Sequence, residues 1–97
     1  MEKKRNTEPT TLEIGETKAF ELNEGNEFET TDVITEEGAK YMLVDKSNNG
    51  AKVTYKFYDQ SGKGFKDVFN KIIANDGNPR LYFASDEQTV IKVKRIA

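Results

Sequence analysis

Ninety-seven residues suit one small domain with a single modest core and leave no room for a separate substrate-binding lobe. With 35% hydrophobic and 33% charged residues the core is expected to be thin. No apolar run approaches the roughly 20 residues of a membrane span, and the basic start lacks the apolar stretch of a secretion signal, so a soluble, cytoplasmic protein is expected. Cysteine and histidine are both absent, which removes disulfides, thiolate metal sites, Ser-His-Asp and Cys-His catalysis and the commonest general base near neutral pH. A non-catalytic protein without metal or cofactor follows as the expectation.

Residues 1–11 are charged and nearly devoid of apolar side chains, so they cannot bury enough surface to offset the entropy of ordering them. They are expected to form a mobile tail, and residues 12–97 a single domain. In Thr17–Leu22, Lys18, Phe20 and Leu22 share one side, the period of a first or edge strand. Asn23 to Asn26 turn the chain. Phe28, Thr30, Thr31, Val33 and Ile34 then favour a strand from Glu27 to about Thr35, with a slip in alternation that predicts a bulge.

Lys40–Lys46 and Ala51–Asp59, joined by Ser47-Asn48-Asn49-Gly50, predict a hairpin, because Asn-Gly tolerates the positive φ angles of a type I′ turn. With Asn49 and Gly50 at its centre, Val44 faces Tyr55 and Met42 faces Phe57 on a core side. Tyr41 faces Tyr58, Leu43 faces Lys56 and Ser47 faces Lys52 on the other side, which is polar and aromatic. After residues 60–64, Phe65, Val68, Phe69, Ile72 and Ile73 recur at i, i+3, i+4, i+7 and i+8, which predicts one amphipathic helix ended by Gly77 and Pro79. Two strands follow, Arg80–Ala84 and Thr89–Ile96, the second with Ile91 and Val93 opposite Lys92 and Lys94.

From Glu27 the order is three strands, a helix and two strands. With the run from Leu43 to Tyr58, an apolar strand, an aspartate, a glycine turn and an alternating aromatic strand, it resembles the OB-fold over about two-thirds of the chain. The resemblance implies a mainly β protein, a small five- to six-stranded antiparallel OB-like barrel with one helix between the third and fourth barrel strands. The extra strand Thr17–Leu22 and the acidic first strand, with Glu27, Glu29 and Asp32, depart from that pattern. A PH-like barrel asks for more strands and a C-terminal helix and ranks second.

The net charge of −2 conceals a division along the chain. Residues 1–37 hold eleven acids against four bases, net −7, and residues 38–97 six against eleven, net +5. Eight of the ten aromatics also fall in the basic part, the mixture a single-stranded nucleic acid needs from a protein surface. Lys52, Lys56 and Tyr58, with Tyr41 across the hairpin, are expected to meet phosphates and stack on bases, each stack worth about 1–3 kcal/mol. The OB-fold resemblance implies the same sheet face as its ligand surface. An ordinary solvent face is the plainer account of these residues. Lys92, Lys94 and Arg95 extend such a groove or, equally, protect a sheet edge. Lys63, in Ser61-Gly62-Lys63-Gly64, stands where a helix N-terminus would bind phosphate, although the spacing is not that of a Walker A loop and a flexible connection also explains it. Asp86-Glu87 and Glu36-Glu37 lack the ligand spacing of a calcium loop.

Binding of single-stranded nucleic acid, DNA ahead of RNA, is therefore the leading functional expectation. The alternative is a protein-interaction module, an adaptor or phage-type inhibitor, that turns its acidic N-terminal part toward a basic partner.

Overall fold

The computed structural model describes residues 9–25, 28, 31–57 and 67–97. They form eight strands: β1 Thr10–Thr11, β2 Thr17–Leu22, β3 Val33–Ile34, β4 Lys40–Lys46, β5 Val53–Phe57, β6 Ile72–Ala74, β7 Arg80–Ser85 and β8 Thr89–Arg95. Odd-numbered strands build one sheet in the order β1-β3-β7-β5, and even-numbered strands the other in the order β2-β8-β4-β6. Only β1 and β3 run parallel; the remaining pairs are antiparallel. Among the described strands, consecutive ones never pair with each other, and each lies in the opposite sheet from the one before it.

Both sheets contribute to one buried cluster. Leu12, Val33, Val53, Phe57, Leu81 and Phe83 come from the odd sheet and its approaches, and Phe20, Leu22, Tyr41, Leu43, Ile73, Ile91 and Val93 from the even sheet. Burying an aliphatic or phenyl side chain of this kind contributes about 1.5–3 kcal/mol. Strand β8 sits at the centre of its sheet between β2 and β4, and strict alternation turns Ile91 and Val93 inward and Lys92 and Lys94 outward. In β5, Tyr55 and Phe57 share the inner face and meet edge to face, their ring centroids 5.7 Å apart.

The architecture corrects several expectations. The barrel is not closed. No α-helix occurs among the described residues; of the expected helical stretch, residues 65 and 66 lie outside them, while Phe69 bridges to Leu43 and Ile72–Ala74 pair with β4. Asn70 lies at a φ of 63° and breaks any continuous helix. Ile73 then turns inward and Ile72 outward, the two-residue period that suits β-branched side chains. The hairpin is also absent, since β4 pairs with β6 and β8 whereas β5 pairs with β7.

Residues 47–52 form a crossover between sheets, and neither Asn49 nor Gly50 has a positive φ. Asn48 shapes it instead: its side-chain oxygen accepts from the Gly50 N–H and its amide donates to Glu87 and to the Gln88 carbonyl. Lys52 and Asp86 add reciprocal bonds, the Lys52 N–H to the Asp86 carboxylate and the Asp86 N–H to the Lys52 carbonyl. The two crossovers at this end of the molecule thus brace each other.

Strand β4 faces the opposite way from its expected orientation. Tyr41 and Leu43 are fully buried and Met42 and Val44 half-exposed, because the strand carries apolar residues on both parities and its neighbours decide which side enters the core. A bulge interrupts β4 between Leu43 and Asp45; the stretch between Phe28 and Val33 where a bulge was expected lies partly outside the described residues. Thr10 and Thr11, expected in the tail, form β1, and Leu12 is fully buried beside them. Of the strand expected from Glu27, Val33–Ile34 is a strand; residues 26, 27, 29 and 30 lie outside the described part. Strand β2 matches its expectation, including its place at a sheet edge.

Lysine 46 links the two sheets. Its side chain is 6% exposed, and its ammonium donates to the Ala51 carbonyl and to Asp67 Oδ2 at 3.1 Å, and lies 5.4 Å from the centre of the Phe69 ring. Asp67 also accepts from the backbone N–H groups of Val53 and Phe69. Burial pushes the Asp67 carboxyl up, but the Lys46 hydrogen bond, the two backbone donors and the Lys46 charge outweigh it and hold it below its ordinary value.

Candidate interaction surface

The side chains expected to line one groove are dispersed. Tyr41 lies in the core, and its hydroxyl has no hydrogen-bond partner among the described residues, so its ring cannot stack on a base. Lys56 projects from the outer face of the odd sheet, where its ammonium lies 4.9 Å from the centre of the Phe28 ring and 5.9 Å from that of Tyr82. Those contacts occupy the charge in cation–π interactions. Lys52 is exposed at the crossover before β5. Lys92 and Lys94 project from the outer face of the even sheet, away from Lys56 across the core. Tyr58 and Lys63 lie outside the described residues. A continuous groove through Tyr41, Lys52, Lys56, Lys92 and Lys94 is therefore not formed.

Folding also mixes the two charge classes that the sequence separates. Strand β2 from the acidic part pairs with β8 from the basic part, and β3 pairs with β7. Arg95 donates to Glu36 at 3.0 Å and to the Leu12 carbonyl, Arg80 meets Asp32 at 2.6 Å, and Gln88 donates to Glu21 at 2.9 Å. Glu21, Asp32 and Glu36 of the acidic part thus act as partners of later residues within the same domain. No cluster of three or more side chains able to ligate a metal occurs among the described residues.

The outer faces of the two sheets differ. In the odd sheet, Thr54 and Ala84 point outward by alternation yet are 5% and 1% exposed, and Phe28 is buried beside Lys56. Glu24 and Gly25 bridge to Ser85, and Thr31 takes the place of a strand residue where β3 ends: its hydroxyl donates to the Phe83 carbonyl and accepts from the Phe83 N–H. That sheet is covered at its middle.

The even sheet is bare. Its outer rows follow from the pairing register. Thr17, Lys94, Met42 and Ile72 lie side by side across all four strands, followed by Ala19, Lys92 and Asp45 across three. Lys92 and Lys94 are exposed and form no ion pair with another described residue, Ile72 is 59% exposed, and Met42 is half-exposed. None of the residues in these two rows is aromatic. Met42 and Ile72 join this face against expectation, since the sequence pattern puts Met42 on the core side of a hairpin and Ile72 on a helix. Only the separation of Ile72 and Ile73 as strand neighbours would have placed Ile72 outside.

No helix among the described residues is long and apolar enough to cross a membrane. The chain matches no protein-family model, and no curated protein or solved structure shows significant similarity to it.

Proposed function

We propose that this chain is a non-catalytic protein-binding domain that seats an acidic, apolar-bearing segment of a partner on the outer face of the β2-β8-β4-β6 sheet. One observation carries the proposal: the row Thr17–Lys94–Met42–Ile72 sets an unpaired ammonium beside a flexible thioether and an open aliphatic side chain on a rigid sheet. Apolar contact supplies affinity to such a surface, methionine adapts to different partners, and cations select and steer an acidic one. The expected charge relation is reversed, with a basic face and an acidic partner.

A single-stranded nucleic acid is the second reading, favoured by the free Lys92 and Lys94. It ranks lower because stacking needs an open ring next to the cations and these rows contain none.

Titration of the isotope-labelled chain with a peptide alternating Glu and Leu, and separately with a mixed oligonucleotide of about 30 nucleotides, separates the two. The peptide should shift the Met42, Ile72, Lys92 and Lys94 amides, and Ile72→Ser and Lys94→Glu should each weaken it. An oligonucleotide response that Ile72→Ser leaves intact would instead establish the phosphate reading. Silence toward both probes rejects this face.

A further inference from the structure

We infer that two copies of the chain pair antiparallel through their β2 edges, joining their even sheets into one eight-stranded sheet. Arg95 donates to the Glu16 carbonyl and Gly15 to the Arg95 carbonyl, which fixes the phase of the β2–β8 ladder. Lys18, Phe20 and Leu22 therefore exchange backbone bonds with β8, and the backbone groups of Thr17, Ala19 and Glu21 point away from it. Strand β2 is an outer strand and pairs with β8 alone, so those groups meet no partner among the described residues. An unpaired row of donors and acceptors is a template for another strand.

The other outer strands offer less. β1 has two residues and β6 three, and β5 is already bonded at Val53 by Val68 and Asp67.

The occupant is a second copy because the edge is complementary to itself. A two-fold axis at Ala19 matches the outward backbone groups of both strands, places the small Ala19 side chains against each other and sets Thr17 opposite the partner's Glu21. Lys94 flanks the same Thr17 on its other side. With strands about 4.8 Å apart, Lys94 and the partner's Glu21 are separated by about 10 Å between Cα atoms, over a short threonine, within reach of the two extended side chains. The axis generates this ion pair twice. Lys18, the edge cation that would oppose pairing, lies 3.8 Å from Glu16 of the same chain, just before β2 begins.

Sedimentation of the full chain from micromolar to millimolar concentration at low salt tests the inference. The wild type should reach twice the 11.0 kDa chain mass. Ala19→Pro removes an outward N–H and no internal ladder bond, as proline at a strand edge permits, and should remain monomeric. Glu21→Lys should weaken pairing about tenfold, and adding Lys94→Glu should recover most of that loss. A wild type that stays monomeric at millimolar concentration overturns the inference, as does folded Ala19→Pro that dimerises unchanged. Should Ala19→Pro fail to fold, the charge reversals decide, and a double variant no tighter than Glu21→Lys rejects the pairing. Ala19→Pro leaves the Lys94–Met42–Ile72 row in place and frees Lys94 from the partner's Glu21, so its monomer should bind the acidic peptide at least as well as the wild type, and loss of dimer and loss of partner binding are separable.

Discussion

The two sheets share a core and obey the same alternation, yet their outer surfaces have opposite fates. In the odd sheet, Thr54 and Ala84 point outward and are buried. In the even sheet, Ala19, Lys92 and Lys94 point outward and remain exposed. Alternation assigns a side chain to a face; what lies over that face decides whether it meets water. Lys56 and Lys94 illustrate the difference. Both are outward lysines, but Lys56 is held over aromatic rings and Lys94 has no such contact, so only Lys94 is free to meet a ligand.

Matched substitutions offer the sharpest way to break this contrast. Ala84→Lys should cost at least about 3 kcal/mol, since it overpacks the covered face and buries an unpaired charge. Ala19→Lys on the bare face should stay within about 0.5 kcal/mol. Urea unfolding measures both, and equal effects would show that the faces are equivalent. Thr31→Val is next in size. It strips the buried Phe83 N–H and carbonyl of their partner and should cost about 2 kcal/mol at almost constant volume, readable as a lower unfolding midpoint with unchanged slope.

The link between the sheets should respond to acid. Because the folded-state pKa of Asp67 lies below the unfolded value of about 3.9, its contribution is present above that value and is lost as pH falls through the folded one. Asp67→Asn should therefore flatten the stability profile below about pH 4. The effect is modest, since the Asp67 side chain is 38% exposed and solvent screens it. A profile unchanged by the substitution would remove Asp67 from the clamp. The smallest effect is expected for Ile72→Ser, within about 0.5 kcal/mol in stability while weakening partner binding. A large loss of stability would instead place Ile72 in the core.

Parts of this arrangement are legible in the sequence because they depend on local alternation. Strands β2 and β8 both show it, and Phe20, Leu22, Ile91 and Val93 turn inward while Lys92 and Lys94 turn outward as that alternation requires. The hairpin and helix expectations fail for identifiable reasons. Asn49-Gly50 is a strong local turn signal, but a turn does not specify whether the chain returns beside its own strand or crosses to another sheet. Phe65, Val68, Phe69, Ile72 and Ile73 satisfy a helical spacing, yet three of these five are β-branched, and Asn70 in the left-handed region admits a break. Tyr41 enters the core against expectation because Tyr41, Met42, Leu43 and Val44 give both faces of β4 an apolar claim.

The amino-acid order by itself determined a small, mainly β domain without cysteine or histidine chemistry, and the two faces of its most regular strands. Tertiary structure alone decided which strands became neighbours. With every strand alternating between sheets, each pairing joins residues distant in sequence, and the energy that selects them is side-chain burial summed over both layers rather than any local preference. For the same reason the acidic and basic parts of the chain, separate in sequence, became adjacent strands, and Lys94 came to stand beside Met42 and Ile72.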